Sequence, residues 1–102
     1  MQTISVEQLK VRLDAGESIH LLDVREPSEH QNFNIGGVLL PLGRIMQLQT
    51  DEVDDWKVEE VICYCRSGNR SGQACLMLEG AGFTNVKNLA GGMNAWMDRF
   101  GG

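Results

Sequence analysis

Val61-Ile62-Cys63-Tyr64-Cys65-Arg66-Ser67-Gly68-Asn69-Arg70-Ser71-Gly72 joins a short apolar run to a polar loop punctuated by glycine. Val61 to Tyr64 favour β structure and are too few for a helix, so they predict a buried strand. Gly68 permits a tight turn, and a helix is predicted from about Arg70 to Glu79, with Gly80 and Gly82 as stop signals. Cys65 is thereby delivered to a strand end, at the start of a loop that opens a helix. Successive N–H groups in such a loop can turn inward as an anion-binding nest. The helix N-terminus adds free N–H groups and a partial positive charge, and Arg66 and Arg70 add full ones. A thiol in this setting is expected to fall below its usual pKa of about 8.5. The stretch predicts a nucleophilic Cys65 over an anion cradle.

Working outward, Ser5-Val6-Glu7-Gln8 fits a capping box, and Val6, Leu9, Lys10 and Leu13 trace one helical stripe that Gly16 ends. Ile19 to Val24 reads as a strand broken by Arg25-Glu26-Pro27-Ser28, with a helical turn around Ser28 to Gln31. Val38-Leu39-Leu40 reads as a strand closed by Pro41, and Leu42, Ile45 and Met46 suggest a brief helix. Asp51 to Glu60 holds six acids around Trp56 and reads as a solvated loop or helix face with one anchoring aromatic. Val86 to Leu89 is the last predicted strand. Met93, Trp96, Met97 and Phe100 then form the packing stripe of an amphipathic helix. Alternating strands and helices imply an α/β fold with a largely parallel sheet, whose working groups lie at the C-terminal strand ends. The Cys65 loop lies at one such end and Asp23-Val24-Arg25 at another.

The 102 residues fit one domain over the whole chain, 1–102. The net charge of −5 argues against nucleic acid as the main partner. No apolar run suggests a membrane span and no secretory signal opens the sequence, so a cytoplasmic location is expected. The three cysteines, Cys63, Cys65 and Cys75, are read as thiols, with Cys63 and Cys75 as small buried hydrophobes. Cys63-x-Cys65 lacks the usual spacing of a zinc site, and neither a metal nor a cofactor is expected.

Two enzyme types place a cysteine in such a loop. Tyrosine and dual-specificity phosphatases use Cys-x5-Arg, which wraps a phosphate. Cys65-x4-Arg70 is one residue shorter, which suits a single added sulfur atom better than a tetrahedral phosphate. Cys65 to Ser71 resembles the active-site loop of the rhodanese family. Asp23-Val24-Arg25-Glu26 is similar to that family's strand-end signature, and Glu29-His30 lies where its acid-containing turn is expected. Phe83-Thr84-Asn85-Val86 and Leu89 to Trp96 resemble its C-terminal signature. The four motifs run in register over essentially the whole chain. Phe33-Asn34-Ile35-Gly36-Gly37-Val38 departs from the family's Gly-His-Ile-Pro-Gly-Ala pattern, which leaves the shape of that turn open.

The resemblance implies a single rhodanese-like domain with a mostly parallel five-stranded sheet and helices on both faces. It implies a sulfurtransferase that moves sulfur from thiosulfate or a persulfide donor to a thiol, cyanide or carrier-protein acceptor through a Cys65 persulfide. Arg66, Ser67, Gly68, Asn69 and Arg70 would bind substrate, mainly through backbone N–H groups. Arg66 could meet the sulfonate of thiosulfate. Arg70 could do the same or could fix the loop by bonding to carbonyls or an acid. Asp23 and Arg25 are read first as a fold-stabilising ion pair at the strand end and otherwise as support for the loop, and Ser71 as a residue that helps start the helix. His20 and His30 are read as structural, and Gly91-Gly92 as closing a turn. A monomer is expected. The competing readings are a partner-binding module without turnover, against which the intact Cys65 argues, and a phosphatase or arsenate reductase.

Overall fold

The computed structural model of the protein describes residues 1–101. Strands β1 (Gln2–Ile4), β2 (His20–Asp23), β3 (Val38–Leu39), β4 (Glu60–Tyr64) and β5 (Asn85–Leu89) form one sheet in the order β1-β5-β4-β2-β3. Every neighbouring pair is parallel. Helices α1 (Val6–Asp14), α2 (Pro27–Asn32), α3 (Leu42–Met46), α4 (Asn69–Gly80) and α5 (Gly92–Phe100) connect them, with a 3-10 helix at Asp51–Trp56.

β4 is central and buried on both faces, and its side chains alternate. Val61, Cys63 and Cys65 join a core with Ala74, Cys75 and Leu78 of α4, while Ile62 and Tyr64 join Leu9 of α1 and Met93 and Trp96 of α5. Cys63 and Cys65 thus share a face, as strand alternation requires. Leu9 and Leu22 are fully buried in opposite cores. Truncating either to alanine would cost about 2–5 kcal/mol.

The predicted capping box forms: Ser5 Oγ accepts from the Gln8 N–H at 3.0 Å, and Gln8 Oε1 accepts from the Ser5 N–H at 2.9 Å. Several expectations are corrected. α4 starts at Asn69, one residue earlier than expected, because Gly68 at φ +102° supplies the turn. Strand β1 is an addition to the predicted elements; it holds the sheet edge beside β5 with only Ile4 buried. Half-buried Trp56 packs on the core as the expected anchor of the acidic segment, but Val53 anchors it too, fully buried, and Trp56 also stacks on His20 at 4.3 Å. Glu60 belongs to β4, where Arg12 and Lys87 pair with it. In α5, Met93 and Trp96 are buried, but Met97 and Phe100 stay exposed and Phe100 packs edge-on against Trp96. No helix among the described residues is long and apolar enough to cross a membrane.

The turn at Phe33–Val38 is built from its own residues. Asn34 Nδ2 donates to the His30 carbonyl and Asn34 Oδ1 accepts from the Gly36 N–H, both at 2.8 Å. Gly37, at φ +89°, packs where an added Cβ would lie 2.3 Å from the Leu21 carbonyl oxygen. No other residue fits so close to β2.

Candidate active site

The C-terminal ends of β2, β4 and β5 converge on Cys65. Its Sγ accepts from the Gly68 N–H at 3.1 Å and the Ser71 N–H at 3.4 Å, and lies 3.3 Å from Ser71 Oγ. Burial pushes the thiol up, but the Ser71 hydroxyl and the N–H groups of Ser71, Gly68 and Ser67 outweigh it and hold Cys65 below the ordinary cysteine range. Cys63 goes the other way: contact with Cys75 and burial raise it well above that range. One thiol of the cluster is thus prepared to ionise.

The loop is inverted by its neighbours. The Met93 N–H donates to the Cys65 carbonyl and the Asn94 N–H to the Arg66 carbonyl, both at 2.9 Å. In a trans peptide the N–H points opposite to the C=O. Anchoring these two carbonyls on the start of α5 therefore turns the Arg66 and Ser67 N–H groups away from α5. Gly92 makes the approach feasible: at φ +53°, an added Cβ would lie 2.3 Å from the Cys65 carbonyl oxygen. Gly91-Gly92 thus does more than close a turn. Asn88, which no sequence motif singles out as a site residue, bonds both the Gly68 carbonyl and Ser71. Its signal is a polar amide on the same strand face as Val86, where an apolar residue would be ordinary.

The two arginines separate. Arg70 makes a bidentate pair with Glu29 at 2.8 and 2.9 Å. Of the two roles open to Arg70, the structure shows the one in which it binds an acid. That pairing holds the Glu29 carboxyl down at about 2. Arg66 is 67% exposed and only 3.9 Å from Glu29, so its charge faces solvent. Ser67 is exposed on the loop, Asn69 is exposed as the first residue of α4, and Gly68 is half-buried. Ser71, expected to help start the helix, is fully buried with its hydroxyl at the sulfur.

Asp23 and Arg25 form the expected pair, at 2.9 and 2.8 Å. Burial opposes the Asp23 charge, yet bonds from Arg25 and His30 outweigh it and lower the carboxyl. His30 Nδ1 sits 2.8 Å from Asp23 Oδ2, and Arg25 Nη2 also donates to the Phe33 carbonyl at 2.6 Å. This group fixes the turn that carries Glu29, and through Glu29 it reaches Arg70. Among the described residues, no cluster of His, Cys, Asp or Glu has the arrangement to hold a metal ion.

A family model for the rhodanese-like domain matches residues 5–99. The chain belongs to the rhodanese-like family. It is 36% identical over 94 residues to the putative sulfur carrier protein YrkF of Bacillus subtilis, covering 91% of this chain and 49% of that protein. It is 39% identical over 94 residues to a sulfurtransferase of Allochromatium vinosum, covering 91% and 85%. A third relative, the thiosulfate sulfurtransferase PspE of Escherichia coli, is 37% identical over 73 residues, covering 71% and 69%. The solution structure of the rhodanese-like domain of an Anabaena protein superposes with a TM-score of 0.85 at 27% identity, over 99% of this chain and 76% of that one. The chain thus spans about half of YrkF and most of the other two proteins. Rhodanese-like family membership with such relatives supports a role in sulfur transfer.

Proposed function

We propose that this rhodanese-like chain moves sulfur from thiosulfate or a persulfide donor to a thiophilic acceptor, with Cys65 as the covalent carrier. The supporting observation is a lowered thiol ringed by the N–H groups of Ser67, Gly68 and Ser71 in a loop whose carbonyls are anchored outward. A sulfur atom bound to Sγ would place its negative charge among such donors. The name of the Escherichia coli relative favours thiosulfate as one donor.

Cys65 is fully buried in this resting geometry, so the first event is admission of the donor's outer sulfur by the loop. The Sγ thiolate attacks that sulfur. The bond from it to the sulfonate breaks, and its electron pair leaves with sulfite. Cys65 then holds a persulfide whose terminal sulfur bears the charge. An acceptor thiolate, a carrier-protein thiol or cyanide attacks the terminal sulfur, and Sγ leaves as thiolate. Splitting the transfer in two lowers each barrier. Arg66, exposed and loosely held, meets the sulfonate, while Arg70 braces the loop through Glu29.

Intact mass measured after thiosulfate treatment tests this reading. The wild type should gain one sulfur and lose it to cyanide as thiocyanate, and Cys65→Ser should do neither. A wild type that takes no sulfur from thiosulfate or from a persulfide would leave a partner-binding module as the better account.

A further inference from the structure

Asn88 is 9% exposed on the α4-facing side of β5. A buried amide is destabilising unless its ends are bonded, and both ends of this one are bonded to the Cys65 loop. Its Nδ2 donates to the Gly68 carbonyl at 3.0 Å, and its Oδ1 accepts from the Ser71 hydroxyl at 2.5 Å. The first bond fixes the orientation, because reversing the amide would set Oδ1 against the Gly68 carbonyl. Oδ1 has no hydrogen, so the one between it and Ser71 belongs to the hydroxyl. A hydroxyl has a single hydrogen. With that hydrogen on Asn88, the 3.3 Å contact of Ser71 Oγ with Cys65 Sγ must take its hydrogen from sulfur. This arrangement suits a neutral thiol. Once the sulfur loses its proton, two lone-pair-bearing atoms face each other unless the Ser71 hydrogen turns to Sγ.

We propose that Asn88 is a positioning residue for sulfur transfer: its Oδ1 holds the Ser71 hydrogen while Sγ is neutral and releases it to Sγ when Sγ is negatively charged. The inference rests on the persulfide reading of Cys65. In the free thiolate, Ser71 donates to Sγ, and Asn88 Oδ1, now facing Ser71 Oγ with no hydrogen between them, draws back from its 2.5 Å contact. After sulfur is loaded, Sγ is half of a neutral S–S bond, the charge sits one atom further out, and the hydrogen returns to Asn88. When the acceptor attacks the terminal sulfur, the S–S electron pair moves onto Sγ and the Ser71 hydrogen turns back to meet it. Ser71 and Asn88 neither gain nor lose an atom in the cycle.

The test is the pH dependence of Cys65 alkylation by iodoacetamide, followed by peptide mass in the full chain. Asn88→Ala and Asn88→Asp are each made with Ser71 present and in a Ser71→Ala background. Ser71→Ala alone should raise the midpoint by about one pH unit, the scale of a hydrogen bond to a charged atom. Loss of the donor to Gly68, and the negative charge that Asn88→Asp adds near sulfur, are common to both backgrounds and cancel. Asn88→Ala frees the hydrogen for sulfur, so it should raise the midpoint less with Ser71 present than without. Asn88→Asp grips the hydrogen harder, so it should raise the midpoint more with Ser71 present. Arg70 and Cys63, the ionisable groups that feel the Cys65 charge, are unaltered throughout.

Couplings of opposite sign, each about threefold in thiolate fraction, are the expected result. Equal shifts in the two backgrounds would overturn the proposal and reduce Asn88 to a brace for Gly68. Should Asn88→Ala lose its native circular dichroism, the Asn88→Asp pair decides alone. Alkylation needs no sulfur donor. Failure to load sulfur would therefore defeat the function proposed above while leaving the coupling between Asn88 and Ser71 measurable.

Discussion

The Cys65 loop is held from two sides by different physics. Toward α2 the hold is ionic: Arg70 is clasped by Glu29, with Arg66 3.9 Å away in solvent. Toward β5 and α5 the hold is neutral. The Met93 and Asn94 N–H groups and the Asn88 amide bond loop carbonyls, and Gly92 leaves them room. The neutral side orients the Arg66 and Ser67 N–H groups and, through Asn88, the Ser71 hydroxyl. The ionic side fixes where the loop sits and leaves one cation free at its rim. Orientation therefore does not depend on charges that salt or acid could remove.

Gly92→Ala should break the comparison most severely. Its Cβ has no room beside the Cys65 carbonyl, so the loop must shift by a fraction of an ångström or more. Misplacement on that scale costs about 100-fold in rate. Turnover of thiosulfate with cyanide, beside circular dichroism to show a native fold, measures it; activity within about twofold of wild type would place the orienting work elsewhere.

Glu29→Gln should act next, on stability as well as rate. The Glu29 carboxyl lies at about 2 in the folded protein against a reference of 4.5. Because the folded value is depressed, its contribution is complete above about pH 4.5 and is lost as pH falls toward 2. Glu60, held at about 2 chiefly by Arg12, loses its contribution over the same range. Urea midpoints should therefore fall steeply with acid in the wild type, less steeply in Glu29→Gln, and less still when Glu60→Gln is added. Parallel profiles would mean that the Arg70 pair stabilises nothing.

Arg66→Ala should have a smaller effect, a rise in KM for thiosulfate of up to about fivefold with kcat little changed, since an exposed charge contributes weakly. Salt should do least. Raising ionic strength from 0.1 to 1 M shortens the screening length from about 10 to 3 Å. It should erase the Arg66 difference while leaving the Cys65 alkylation midpoint nearly fixed. A midpoint that climbs with salt would show that charge, rather than oriented N–H groups, sets the thiol.

The sequence is most informative where the determinants are local. The capping box at Ser5 and Gln8, the apolar run into Cys65 and the glycine before α4 each depend on residues a few positions apart, and each forms. Other features escape such a reading because their cause lies elsewhere in the fold. Strand β1 has one buried residue in three and owes its conformation to β5. Trp56 packs on the core as its type suggests, but the deeper anchor Val53 and the stack of the indole on His20 show only in the fold. In the site, Cys65 and the loop donors are legible. Asn88, Gly92 and the choice of Arg70 for Glu29 are not, since each is defined by what lies across the sheet end.

The dependence of the loop on Asn88, Gly92, Met93 and Asn94 also bears on the order in which the molecule comes into being. Synthesis runs from the N-terminus, so Cys65 leaves the ribosome well before the residues that turn its peptides outward. β1 likewise waits for β5, because the first strand pairs with the last. A nascent or truncated chain ending before β5 can build neither the sheet edge nor the anchors that turn the loop peptides outward. The anchored nest around the sulfur is complete only once β5 and the start of α5 have been made, which spares the growing polypeptide an activated nucleophile while that part of the sheet is still missing.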